Sequence, residues 1–181
     1  MTHADAGAAQ RRELPLAHEA DTERLGASIG AWVCATRTPL LVYLSGELGS
    51  GKTTLARALL RRLGATGRIK SPSYALMEPY VVELPPHDGF RESMSLYCYH
   101  FDFYRFNDPK EWLDAGFRDY FDGTALCLVE WPERVTEHGR LPDADLHVTL
   151  AISGTGRHAV VVACSERGSA CLTAVAFSPP A

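Results

Sequence analysis

The chain has 181 residues, 46% apolar and 22% charged, with 18 basic side chains against 22 acidic ones for a net charge of −4. That length fits one domain with a sizeable core, and the acidic balance speaks against a protein that grips nucleic acid through its own charge. The five cysteines (Cys34, Cys98, Cys127, Cys164 and Cys171) are odd in number and lack a CxxC pair, which argues against a zinc site or disulfide framework and fits a reducing compartment. The opening MTHADAGAAQRREL has no apolar signal core. No apolar run approaches the roughly 18 residues of a membrane span. A cytoplasmic protein with no membrane attachment is therefore expected.

In chain order, residues 1–11 are Ala-rich and polar and read as a disordered tail. ELPLAHEA (13–20) suits a short strand, and Asp21 or Thr22 offers an N-cap. Leu25, Ile29, Trp32 and Val33 then fall on one helical stripe. TPLLVYLSG (38–46) is a nearly continuous apolar strand, the pattern of a sheet covered on both faces. A helix follows over 51–63 with Leu55, Leu59, Leu60 and Leu63 on one side. SPSYALMEPYVVEL (71–84) reads as extended, and PPHDGFRES (85–93) as a surface loop. SLYCYHFDFYRF (95–106) alternates as a strand. Asp108-Pro109 opens an expected short helix over 108–121. ALCLVEWPERV (125–135) is a buried strand ending at Glu130, Trp131 and Pro132. ADLHVTLAIS and RHAVVVACS, joined by Gly154-Thr155-Gly156, form an expected hairpin. Alternating strands and helices predict a single α/β domain over 12–168, mainly parallel, with antiparallel additions at the edge and a tail from 169 to 181.

The segment GELGSGKT (46–53) fits the phosphate-binding pattern GxxxxGK[ST] at every fixed position. Its glycines let successive backbone N–H groups of Glu47, Leu48, Gly49, Ser50 and Gly51 turn inward toward phosphate. The helix that starts there adds its positive end, which Thr54 shares. Lys52 supplies a cation for the β- and γ-phosphates, and Thr53 a hydroxyl for Mg²⁺. The flanking apolar strand and helix pattern are the context the motif requires.

Such a site also needs an acidic partner for Mg²⁺ and a group to orient water, both at the carboxyl ends of neighbouring strands. Glu130 closes one strand and Asp102 another. Either could also be a turn or surface acid. His100 shares the parity of Asp102 and reads as a structural histidine or as a neighbour of the chemistry. Trp131 reads as packing. No histidine spacing suggests another metal, so ATP and Mg²⁺ are the ligands inferred.

The order of GELGSGKTT (46–54), IKSPSYALMEPY (69–80), YHFDFYR (99–105), DPKEWLDAGFRDYF (108–121) and LVEWPERV (128–135) resembles the bacterial TsaE (YjeE) family. These are P-loop ATPases needed for threonylcarbamoyladenosine in tRNA. The resemblance spans about residues 38–150, and SPSYALMEPY, HFDFYR and VEWPE are its specific parts. It implies an ATP hydrolase that is slow in isolation. Lys52 would be the phosphate lysine, Thr53 and Glu130 the magnesium ligands, and Asp102 the second acid for hydrolysis. Trp131 would stand near the nucleotide, and Ser71 to Tyr74 would form a switch facing the γ-phosphate. Tyr104 and Arg105 belong to the same signature, and Arg105 is equally open to a structural role. The implied partners are TsaD and TsaB, which transfer the threonylcarbamoyl group, with tRNA reached only through them. The segment 81–98 is longer than the family pattern and could alter docking or shield the site. No motif marks an adenine pocket; the turn 18–22 near Thr22 and the loops after Trp131 are open to it.

Two other readings share the P-loop. A small-molecule kinase would add an Arg-rich lid, but Arg57, Arg61 and Arg62 fall on the helix after the loop, where a solvated face is the default. A GTPase would carry NKxD, whose carboxylate pairs with guanine, and the chain has none.

Overall fold

The computed structural model describes residues 10–106, 112, 116–136 and 141–175. Its elements are β1 (Arg11–Leu16), α1 (Glu19–Thr36), β2 (Leu41–Ser45), α2 (Lys52–Leu63), β3 (Met77–Leu84) and β4 (Met94–Asp102). A 3-10 turn (Phe117–Phe121), β5 (Leu126–Glu130), α3 (Glu133–Thr136), β6 (Leu146–Ser153), β7 (Gly156–Ala163) and α4 (Glu166–Ala174) follow.

The strands form one sheet in the order β1-β7-β6-β2-β5-β4-β3. β6, β2, β5 and β4 run parallel through its centre. The β6–β7–β1 side is antiparallel, as the hairpin pattern predicts, and so is the β4–β3 edge. The second antiparallel edge arises because 71–84 is not extended throughout. The chain turns at Leu76, whose φ is 65°, and only then enters β3.

Residue parity divides the core into two faces. Val42, Leu44, Leu126 and Leu128 point toward α1 and α2, joining Leu25, Ile29, Val33, Leu55, Leu59 and Leu60. Tyr43, Cys127 and Val129 point the other way, against Phe101, Phe103, Phe106 and Trp112. α1 and α2 approach closely because Gly26 and Gly30 lie between them. A Cβ on Gly26 would stand 2.3 Å from the Leu55 carbonyl oxygen, and one on Gly30 2.8 Å from that of Leu59.

Several expected boundaries move. α1 is capped by His18, not Asp21 or Thr22, and Asp21 closes a capping box by accepting from the His18 N–H at 2.8 Å. The first strand runs from Arg11 to Leu16 and pairs along β7, so Arg11 belongs to the sheet and the other residues expected in the tail lie, but for Gln10, outside the described residues. The expected tail from 169 is helical up to Ala174. Ser165 caps it by accepting from the Gly168 N–H at 3.0 Å, and Cys171 and Leu172 enter the core. The helix expected over 108–121 lies largely outside the described residues; within them Trp112 is buried and 117–121 is the 3-10 turn.

The long segment between β3 and β4 does not shield the P-loop. Arg37, at the C-terminal end of α1, donates to the carbonyls of Pro85 at 3.0 Å and Glu92 at 2.6 Å, and its guanidinium stands 4.5 Å from the Phe90 ring centroid. α1 has 18 residues. At the usual helical rise its two ends are about 27 Å apart, and its other end is the one beside the loop.

Candidate functional site

Between β2 and α2 the chain must reverse across residues 46–51. Gly46, Gly49 and Gly51 do this with φ of 134°, 78° and 108°, a region closed to most side chains. Gly46 is constrained twice, since a Cβ there would lie 2.1 Å from the Leu150 carbonyl oxygen of β6. Arg157, from the β6–β7 hairpin, braces the loop from outside. Its Nε donates to the Ser50 carbonyl at 3.1 Å and its Nη2 to that of Gly49 at 3.0 Å. Glu47 and Leu48 are exposed at the loop's tip, whereas Ser50 is buried.

Lys52 opens α2 and folds back over the loop. Its Nζ donates to the carbonyls of Gly46 at 2.7 Å and Glu47 at 2.9 Å and lies 3.9 Å from the Trp131 ring centroid. Burial pushes its pKa down, opposed by the charges of Glu130, Glu133 and Asp102. The ammonium is thus held in place by the loop's own carbonyls and the Trp131 ring.

The two predicted acids meet where β4 and β5 end side by side, with Asp102 directly opposite Glu130. They are 3% and 2% exposed. Glu130 accepts from the Thr53 hydroxyl, with Oε1 at 2.8 Å and Oε2 at 3.0 Å, and Oε1 lies 2.9 Å from His100 Nε2. Asp102 accepts from the Ser71 hydroxyl and, at 2.9 Å, from the Tyr104 N–H. His100 therefore faces the same side as Asp102, as their shared parity implies.

Trp131 follows Glu130 with φ of 60°, anchored by its N–H to the Leu44 carbonyl at 3.1 Å. Its ring is 4.9 Å from that of Tyr104, and Arg105 stands 4.3 Å over Tyr74, which is 85% exposed. Ser71, Ser73, Tyr104, Arg105 and Trp131 line one side of a cleft of about 430 Å³. Its floor is Gly49, Gly51, Lys52, Thr53, Thr54, Asp102 and Glu130. Thr53 and Glu130 present oxygen donors a hydrogen bond apart, the hard ligand type that Mg²⁺ prefers. Among the described residues no three His, Cys, Asp or Glu side chains form a metal cluster.

Two features carried no sequence signal. Arg157 belongs to no motif and reaches the loop only through the hairpin. Ser45 bridges Glu133 at 3.0 Å and His147 at 2.8 Å beside the loop; burial pushes the His147 pKa down, with Glu133 opposing. On the other side of the loop a second cleft of about 400 Å³ is lined by His18, Glu19, Thr22, Thr54 and Arg157.

A family model described as threonylcarbamoyl adenosine biosynthesis protein TsaE matches residues 16–159. The chain belongs to the TsaE family. The tRNA threonylcarbamoyladenosine biosynthesis protein TsaE of Haemophilus influenzae is 37% identical over 139 residues, covering 77% of this chain and 80% of its own. That of Bacillus subtilis is 35% identical over 114 residues, 63% of either chain. The crystal structure of Bacillus subtilis YdiB shares the fold at a TM-score of 0.70 and 23% identity, covering 94% of this chain and 97% of its own. Among the described residues no helix is long and apolar enough to cross a membrane.

Proposed function

We propose that this TsaE-family chain is a Mg²⁺-dependent ATPase serving the formation of threonylcarbamoyladenosine in tRNA, together with TsaD and TsaB. The contact that carries this reading is Thr53 Oγ1 to Glu130 Oε1 at 2.8 Å, directly beneath a glycine loop and a buried lysine. Carboxylates beside a phosphate site repel the phosphates unless a cation lies between them.

The loop's N–H groups and the start of α2 hold the β-phosphate. Lys52 exchanges its two loop carbonyls for β- and γ-phosphate oxygens. Thr53 and Glu130 would hold Mg²⁺, which would offset the charge of the phosphates. Asp102, with its carboxylate fixed by Ser71 and the Tyr104 N–H, orients the attacking water and takes its proton. Ser71 ties that carboxylate to the Ser71–Tyr74 segment, so a shift at the γ-phosphate moves Asp102. The second cleft, with Thr22 at its wall, receives the base. The partners act at the exposed rim, and tRNA is reached through them.

Calorimetric titration of ATP and GTP, with Mg²⁺ and with EDTA, tests the ligand. One-to-one ATP binding strengthened by Mg²⁺ supports the reading. Equal affinity for GTP, or indifference to Mg²⁺, contradicts it.

A further inference from the structure

We propose that His100 is a positioning residue whose Nε2–H holds the Glu130 carboxylate on Thr53, so that the pair is set to receive a divalent cation before the cation arrives. This deepens the magnesium reading and rests on it.

His100 is fully buried in β4, between Cys98 and Asp102 on the face that meets α2. Its Nε2 lies 2.9 Å from Glu130 Oε1, the oxygen that also accepts from Thr53 at 2.8 Å. An ionised carboxylate only accepts, so Nε2 carries the hydrogen. Nδ1 is buried and has no hydrogen-bond partner among the described residues. An unpaired buried polar atom is costly. An apolar side chain of similar volume would fill this place beside Leu128 without that cost, so the cavity's shape alone does not account for imidazole. The Nε2–H bond to Glu130 does.

The nearby lysine explains why Glu130 needs holding. Glu130 and Lys52 line the same cleft. A glutamate has three side-chain torsions, and an unrestrained one would swing to the buried ammonium. That ion pair would remove both the metal's carboxylate and the phosphate's lysine. Two donors on one side, Thr53 and His100, keep Glu130 on the strand-end position. Lys52 stays on the carbonyls of Gly46 and Glu47, which phosphate can replace. Partners behind a metal-ligating side chain commonly set affinity by 10–100-fold, so about that range is expected here.

The test uses the full chain with ADP and Mn²⁺ as the probe, reading bound Mn²⁺ by electron paramagnetic resonance. ADP affinity in EDTA and urea unfolding are measured on the same samples. His100→Leu is expected to weaken Mn²⁺ in the ADP complex by about 10–100-fold, with ADP affinity in EDTA unchanged. His100→Gln, whose amide N–H reaches as far as Nε2, is expected to restore Mn²⁺ affinity. His100→Asn, too short to reach, is not; this pair decides the matter if His100→Leu fails to fold. Wild-type Mn²⁺ affinity in His100→Asn, or a loss in His100→Gln equal to that in His100→Asn, would overturn the proposal. Glu130→Gln separates the two readings. If it weakens Mn²⁺ while His100→Leu and His100→Asn do not, only the role of His100 falls. If it leaves Mn²⁺ unchanged, the magnesium reading falls and this one with it.

Discussion

Buried carboxylates stand at both ends of the parallel strands, and they stand in different surroundings. Asp145, just before β6, is 3% exposed. It accepts from the Leu41 N–H at 2.8 Å and from the Ser165 hydroxyl, and Arg167 Nε lies 3.3 Å away. These donors belong to the start of β2 and to the entry of α4, so the carboxylate ties three elements together. Asp102 and Glu130, at the opposite end, are equally buried but border a cleft that also holds Lys52 and the glycine loop. Burial of an acid is therefore no mark of function. The mark is what its remaining lone pairs face.

The largest effect expected from this contrast is at Lys52. Lys52→Ala should cost about 3 kcal/mol of nucleotide binding, roughly 100-fold, with an unchanged circular dichroism spectrum. Next is Asp102→Asn. It should lower single-turnover hydrolysis by about 100-fold, with Mg·ATP affinity kept within about threefold. An Asp102→Asn chain that loses binding but hydrolyses normally at saturation would remove Asp102 from the water-orienting role. At the other end, Asp145→Ala strands three donors and should cost about 3 kcal/mol of stability in urea unfolding, without changing ATP affinity. A fall in ATP affinity there would break the contrast between the two ends. The smallest effect is expected at Gly26→Ala. It should cost about 2 kcal/mol of stability through the clash with Leu55, and ATP titration of the folded fraction should match wild type.

Much of the site was legible because its parts are short-range. The strand, glycine loop and helix are contiguous from Leu41 to Leu63, and the parity of β4 places His100 and Asp102 on one face. The apolar run before Glu130 marks a strand end. What escaped depends on contacts between distant segments. Arg157 braces the loop across more than 100 residues of chain. His147 and Glu133 meet through Ser45. The 85–93 loop reads as a free surface loop, because only the folded chain brings Arg37 to Pro85, Phe90 and Glu92. The helix after Ser165 was legible in principle, since a serine followed by Glu166 is an N-cap signal. The Ser-Pro-Pro ending drew that stretch into a tail. The second antiparallel edge was hidden by Leu76, a branched residue at positive φ that no turn rule favours.

The most direct measurement is phosphate release from Mg·ATP by the purified chain, alone and with TsaD and TsaB, beside Lys52→Ala. The account predicts slow release alone, stimulation by the two partners together, and loss of both in Lys52→Ala. Fast release that ignores the partners, or release that survives Lys52→Ala, would contradict it.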